Sequence, residues 1–242
     1  MKSSNTYQTV PVILAFEAST KKLSVGVHVN GSVVAMQKIE APFGQAAELL
    51  PLAIQTLADV GVEFSSLTHV AAGCGPGSFT GLRVSLAAAK GVCLAQNIIG
   101  LGISGLEALA FSSSGVLGGM PVLCIADTRR GNVYAQLFAS DMTPQGTIFE
   151  AQIDQLPFLV PPSICADGLM LAGFGGLAAK TAFAAKGLAA TPIIDENKQD
   201  VSIVDAGMIA TMAAKKIMLG DFPPLTPLYL ADPHLGPKKS DL

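Results

Sequence analysis

The order of elements in the first hundred residues begins again in the second hundred, and a chain that repeats a whole sub-architecture is constrained to fold as two similar units. In the first copy "VILAFE" (12–17), "LSVGVHV" (23–29) and "SVVAMQKI" (32–39) read as strands, because they are apolar runs rich in β-branched residues. Asn30-Gly31 joins the last two as a type I′ turn, which needs positive φ at both central positions, so these strands form an antiparallel meander. The apolar spacing turns helical from Gln45 to about Val60. "LTHVAAG" (67–73) then reads as a buried strand, 78–96 as a second helix and "IIGLGI" (98–103) as another strand. In the second copy "VLCIAD" (122–127), "NVYAQLF" (132–138) and "GTIFEAQ" (146–152) give another three-strand meander. Set against each other, "FEASTKKLSVGVHV" and "IADTRRGNVYAQLF" align strand, carboxylate, hydroxyl, two cations and strand. One copy carries Glu17, Ser19, Lys21 and Lys22; the other carries Asp127, Thr128, Arg129 and Arg130.

Two β-β-β-α-β-α units facing each other across a cleft are the plan of the actin-like and sugar-kinase ATPases, an α/β architecture. In those proteins carboxylates at the first-strand ends hold metal or water, and backbone amides hold phosphates. The expected division is an N-terminal lobe over 1–106 and a C-terminal lobe over 107–242, with a short helix and loop at 105–121 joining them. Past Pro161 the pattern weakens. "SICADGL" is expected as a strand, 173–185 as an Ala-rich helix, and 203–218 as a last helix free to pack back on the N-terminal lobe. From Phe222 the Pro-rich tail is expected to pack as an extended arm.

Half of the residues are hydrophobic, 14% are charged and tryptophan is absent, so the interior must be built from Ala, Val, Leu and Ile. The net charge of −3, without a run of like charges, offers no footprint for nucleic acid or an anionic membrane. If RNA is involved, another chain supplies the grip. Cys74, Cys93, Cys124 and Cys165 are far apart and form no C-x-x-C pair, which reads as reduced thiols rather than a disulfide or zinc framework. Glu17 interrupts the first apolar stretch before the length that a signal or membrane span needs, so a cytoplasmic protein with a short disordered leader is expected.

The segment "GPGSFTGLR" (75–83) poses the functional question. Three glycines and a proline entering a helix could cradle phosphate or only aim the helix. A Walker loop needs lysine at the helix start, and none occurs before Lys90. The turn Gly75-Pro76-Gly77, with Ser78 or Thr80 as N-cap and Gly81 allowing close packing, is therefore expected to be structural, a weak anion site remaining as the lesser alternative. The helix that follows is apolar on nearly every side. Val84, Ala88, Gly91, Val92 and Ala95 line one flank; Phe79, Leu82, Leu86, Ala89 and Cys93 line the other; Arg83 and Lys90 make a thin charged stripe. Such a helix is either buried on both sides within its own unit or meets a partner, and a partner is the expected reading. In the preceding helix Leu50, Ile54 and Leu57 are expected in the core and Gln45, Glu48, Gln55 and Asp59 in water. Leu52 then falls in the polar arc with Leu49 at its edge, a second hint of a helix–helix interface.

Glu17 and Asp127 are the candidate acids of the cleft, positioned to hold Mg²⁺ or polarise water, with flanking cations that could instead pair with them. His28, His69 and His234 show no metal-ligand spacing, and no nucleophile motif stands out.

The segments "ILAFEAST", "ELLPLAIQTLAD", "GCGPGSFTGLRVSLAAAKGVCLA", "GISGLEALA" and "IADTRRGNVYAQLF" resemble, in this order, the TsaB (YeaZ) family, specifically over 13–138 and faintly beyond, apart from "PLYLADP". The resemblance implies a two-lobed actin-like (ribonuclease H-like) fold shared with TsaD, the ATPase-like subunit that makes threonylcarbamoyladenosine at position 37 of tRNA. It implies a degenerate, non-catalytic member without metal or nucleotide of its own, ATP or ADP and a metal ion belonging to partner subunits. It further implies a heterodimer with TsaD through the first two helices, a homodimer through the same surface when alone, a TsaE-like ATPase in the larger complex, and contact with tRNA only through that complex. The partner-interface residues carried over are Gln45, Leu49, Leu52, Arg83, Leu86, Ala89, Lys90 and Cys93; the degenerate cleft is Glu17, Ser19, Asp127, Thr128 and Arg129. The chain departs from the family at Glu17 (usually Asp), Gln45 (usually His) and Ala231 (usually Arg). The rival reading is an independent Mg-ATP-dependent phosphotransferase or peptidase-like enzyme that uses Glu17 and Asp127.

Overall fold

The computed structural model describes residues 10–20, 22–41, 44–128, 130–194 and 204–230. Lys21, Arg129, Ala231 and the N-terminal leader lie outside the described residues. The first unit runs β1 (Ile13–Glu17), β2 (Lys22–Val29), β3 (Ser32–Glu40), α1 (Gln45–Ala58), β4 (His69–Gly75), α2 (Phe79–Gln96), β5 (Ile99–Ser104). After α3 (Gly105–Ser113) the second runs β6 (Val122–Asp127), β7 (Val133–Phe138), β8 (Pro144–Ala151), α4 (Leu156–Leu159), β9 (Leu169–Gly173), α5 (Gly176–Ala184), β10 (Ala190–Pro192), and α6 (Ala206–Met218) follows.

The repeat read in the sequence is a repeat of topology. The first sheet has the order β3-β2-β1-β4-β5 and the second β8-β7-β6-β9-β10, so each strand has a counterpart. In both, the first three strands are antiparallel and the next two add in parallel. Asn30 and Gly31 take φ of 53° and 84°, as the I′ hairpin requires. One expected strand is corrected: "SICADGL" is not a strand, because residues Pro162–Cys165 form a 3₁₀ turn and Gly168, at φ 102°, breaks the chain before β9 starts at Leu169.

The central strands of each sheet are buried on both faces, which explains why they read as continuous apolar runs, while the edge strands β3 and β8 are largely exposed. Leu14 and Phe16 of β1 pack with Leu49, Ala53 and Leu57 of α1 and Leu86, Ala89 and Val92 of α2. The alternate residues Ile13 and Ala15 face Ala108 of α3 and Ile209, Ala210 and Ala213 of α6. In the second sheet Leu123 and Ile125 face Leu156 of α4 and Ala179 and Phe183 of α5, while Val122 and Cys124 face Leu106 and Leu109 of α3. Helices α3 and α6 therefore lie between the sheets, and the 106/107 division expected from the sequence falls inside α3.

Helix α6 packs on the first sheet rather than on the second-unit strands that precede it. Its N-cap Asp205 accepts the Met208 N–H at 3.0 Å and pairs with Lys38 of β3 at 2.6 Å. The Ala206 N–H donates to Ser24 Oγ of β2 at 2.9 Å. Lys216 ties the other end, 2.9 Å from both Glu107 of α3 and Asp221. Burial pulls this ammonium down, and the two carboxylates outweigh it and hold it above the ordinary lysine value. Gly26 is the contact that admits the helix, since a Cβ there would lie 3.0 Å from the Ala206 carbonyl carbon and oxygen. Gly26→Val is expected to lift α6 from β2 and lower stability by about 1–3 kcal/mol, read as a fall in thermal midpoint; an unchanged midpoint would show that the close approach is not needed.

Candidate functional site

At the end of β1 the chain turns through Ala18 and Ser19, and the glycine segment after β4 closes over that turn. The Ser78 N–H donates to the Ser19 carbonyl at 2.8 Å. A Cβ on Gly77 would lie 2.6 Å from Ser19 Cβ, and one on Gly81 would lie 1.8 Å from the Ala18 carbonyl oxygen. These two glycines thus let the first turn of α2 touch the β1–β2 backbone. Ser78 is the N-cap, its Oγ accepting the Gly81 N–H at 3.3 Å and its carbonyl the Leu82 N–H at 2.9 Å. Thr80 is exposed on the first turn and is not the cap. Gly75 has φ 110°, in the left-handed half of conformational space that glycine alone enters without strain, and is followed by a cis bond to Pro76. The segment that looked like a phosphate cradle is filled by the chain's own turn.

Glu17 sits beneath this contact, 1% exposed. One carboxylate oxygen accepts the Ser19 N–H and the other lies where a Cβ on Gly73 would be. Burial pushes its pKa up to about 7, the Ser19 hydrogen bonds opposing this and the charge of Asp205 adding to it. A carboxyl enclosed in this way has neither the open oxygens nor the settled charge that an Mg²⁺ ligand needs. The thiol of Cys74, on the next strand, is pushed up to about 12 by burial, with the Glu17 charge adding. Among the described residues no three His, Cys, Asp or Glu side chains cluster as a metal site.

The second unit places Asp127 at the end of β6, the position that Glu17 holds on β1, half-buried rather than enclosed. Thr128 Oγ1 donates to the Asn132 carbonyl at 2.8 Å and closes the β6–β7 turn; Arg130 reaches Tyr134 Oη at 3.0 Å and Glu150 at 4.0 Å. The glycine device is repeated too. Gly173, at φ 107°, ends β9 as Gly75 ends β4, and a Cβ there would lie 2.0 Å from the Ile125 carbonyl oxygen. "GPG" at 75–77 and "GFG" at 173–175 carried this signal in the sequence, where it was missed.

Between α1 and α2 the surface opens into a groove of about 550 Å³ lined mainly by apolar side chains, among them Ala46, Leu50, Phe79, Val84 and Ala87, with Arg83 at its rim. Several interface residues expected from the sequence are placed differently. Leu49 is 1% exposed and forms the groove floor, while Leu86 and Ala89 are in the core under α2. Gln45 is half-buried at the start of α1, and Leu52 and Cys93 are half-buried against the same core. Lys90 and Arg83 are exposed. The stripe on α1 is also exchanged: Leu49, Ala53, Thr56 and Leu57 face the sheet, and Leu50 and Ile54, expected inside, are 44% and 58% exposed. The cause is that α1 carries two overlapping apolar arcs, and the helical period does not say which one the sheet takes. On α2 the contact at Gly81 decides the same question, turning Phe79, Ala87 and Leu94 outward, the last 86% exposed.

Two five-stranded sheets of the same mixed order, with helices between and outside them, define the actin-like ATPase fold. The family model for TsaD, tRNA N6-adenosine threonylcarbamoyltransferase, matches residues 44–164, half of the chain, and the chain belongs to this family. Within it the likeness is to TsaB proteins. The tRNA threonylcarbamoyladenosine biosynthesis protein TsaB of Escherichia coli is 32% identical over 122 residues, 50% of this chain and 52% of that protein, so the match spans about half the length of this relative. An uncharacterized protein of Mycobacterium tuberculosis is 28% identical over 231 residues, 94% of this chain and 95% of that one. The solved structure of YeaZ from Pseudomonas aeruginosa superposes with a TM-score of 0.72 at 22% identity, over 91% of this chain and 100% of that one, which establishes the shared fold. No helix among the described residues is long and apolar enough to cross a membrane.

Glu17 generates a pH test. Its folded pKa of about 7 lies above the ordinary carboxylate value, so the folded state binds the extra proton between the two. Its contribution is then fully present below the unfolded pKa and lost as pH rises through 7. Glu17→Gln, which keeps an oxygen for the Ser19 N–H, is expected to stabilise the protein by up to about 3 kcal/mol at pH 8–9 and by little at pH 4–5. Denaturant midpoints across that range check it; a gain independent of pH would contradict the assignment.

Proposed function

We propose that this chain is a non-catalytic subunit in the formation of tRNA N6-threonylcarbamoyladenosine, acting in the cytoplasm by docking on a TsaD-type ATPase subunit. The observation that carries the reading is the exposed apolar groove between α1 and α2, with Leu50, Ile54, Phe79 and Leu94 on its two helices. Apolar surface gathered on two adjacent helices marks an interaction face. The matching TsaB proteins supply the pathway, since their name places them in tRNA threonylcarbamoyladenosine biosynthesis. In this reading nucleotide and metal belong to the TsaD-type and TsaE-like subunits, tRNA is held by the assembly, and two copies of this chain pair through the same face when the partner is absent. The filled turn at Gly77 and Gly81 supports a cleft that does not turn over nucleotide.

Light scattering of the purified chain mixed with the TsaD-type subunit is expected to give a heterodimer mass. Absence of a complex both with and without nucleotide would overturn the reading. Ile54→Asp, which places a charge on the exposed face, is expected to abolish the complex while leaving the thermal midpoint within about 1–2 °C of wild type. Calorimetry with Mg-ATP on the isolated chain completes the test: micromolar binding that Asp127→Ala removes would replace this reading with an independent enzyme.

A further inference from the structure

β5 is the edge strand of the first sheet, and it carries glycine at alternate positions, Gly100 and Gly102. The space they leave is taken by the tail and, at Gly100, also by Cys93 of α2, whose Sγ would lie 2.7 Å from an added Cβ. A Cβ on Gly102 would lie 2.4 Å from the Pro224 carbonyl oxygen, and one on Gly100 would lie 2.9 Å from Leu225 Cδ2. The Gly102 N–H donates to the Pro223 carbonyl at 3.1 Å and the Leu228 N–H to the Cys74 carbonyl at 2.8 Å. Phe222 stacks on His69 with ring centroids 6.1 Å apart. A Pro-rich stretch thus runs along the edge strand as a strap, pinned at both ends.

The strap delivers Tyr229 to the first turn of α2. Its ring is 5.5 Å from that of Phe79, tilted by 37°. Arg83 lies over Phe79 as well, its Cζ 3.8 Å from the ring centroid, and its Nε donates to Tyr229 Oη at 3.4 Å. Among the described residues no carboxylate is within ion-pair distance of Arg83. A guanidinium stacked on one ring and tethered to a second side chain is already ordered, and its remaining N–H groups form the planar fork that receives a carboxylate. It stands at the rim of the α1–α2 groove.

We propose that the tail is a positioning element of the docking face: Tyr229 holds Arg83 over Phe79 so that the guanidinium receives a carboxylate beside the apolar helix face that the TsaD-type subunit lays into the groove. This rests on the docking reading given above. A cation among the groove's lining residues favours a partner helix edged by a carboxylate over a wholly apolar one.

Affinity for the TsaD-type subunit, measured by calorimetry over roughly a tenfold range of salt, tests it. Wild-type binding is expected to weaken as salt rises. Arg83→Gln should weaken it about tenfold or more at low salt and flatten the salt dependence, and Arg83→Lys should recover the dependence with only part of the affinity. Tyr229→Phe keeps the ring and loses the hydroxyl acceptor; a loss of about three- to fivefold is expected, with thermal stability unchanged. Gly102→Ala unseats the strap without touching the groove and should weaken binding at least as much; if it unfolds the protein, Tyr229→Phe carries the test alone. Normal wild-type binding matched by the Arg83 and Tyr229 variants, or a loss confined to self-association of the chain, overturns this proposal. Failure of the wild-type chain to bind overturns the docking reading and this proposal with it.

Discussion

A helix whose first turn rests against the end of the first strand has little freedom to rotate, and the contact between Gly81 and the Ala18 carbonyl puts α2 in that position. Leu82, Ser85, Leu86, Ala89 and Val92 must then meet the sheet, while Phe79, Arg83, Ala87 and Leu94 are turned away from it. The same contact closes the strand-end turn over Glu17. One close approach therefore shapes both the closed strand-end turn and the open groove. It depends on glycine at 77 and 81, because any side chain there would collide with backbone or with the side chain of Ser19.

The duplication was legible because strand patterning is local. The continuous apolar runs of β1 and β6, the Asn30-Gly31 hairpin and the carboxylate closing each first strand all lie within a few residues of chain. The direction in which a helix faces was not legible to the same degree. Helix α1 has apolar residues at 49, 50, 52, 53, 54 and 57, enough for two arcs, and the arc that the sheet takes is set by contacts with β1, β2 and α2, none of which is its neighbour along the chain. Leu50 and Ile54 were read as core for that reason, and Leu49, Leu86 and Ala89 as surface. The filled turn was half legible. The missing lysine excluded a Walker loop, but the Ala18 carbonyl that occupies the turn has no side-chain signature to read. The tail's seat left a trace, the alternate glycines of "IIGLGI", which becomes interpretable only once β5 is known to be an edge.

The enclosure of Glu17 has an energetic consequence for the way in which the two units divide their work. A carboxyl raised to about 7 is a cost that the fold carries, since a neutral isostere would sit in the same place without the desolvation of a charge. Asp127, at the equivalent position, is half-buried on a turn closed by Thr128 and is not enclosed in this way. The pseudo-symmetry of the backbone is thus broken at its chemical centre, in the unit that also carries the groove.

Exposure alone would not single out that unit, because the equivalent face of the second one also shows apolar side chains. Phe158 and Leu159 of α4 are exposed, as are Phe174 and Leu177 around the start of α5. Geometry separates the two faces. α1 has fourteen residues and lies beside the eighteen of α2, so two long helices form walls with a groove between them. α4 has four residues, about one turn, and provides no wall; the Lys186 ammonium lies 4.4 Å over one face of the exposed Phe158 ring. Among the described residues the first unit's pair of helices is the longer one, fourteen and eighteen residues against four and nine. Both helices are shortened in the second unit, α4 to four residues and α5 to nine, and the repeat is asymmetric for that reason.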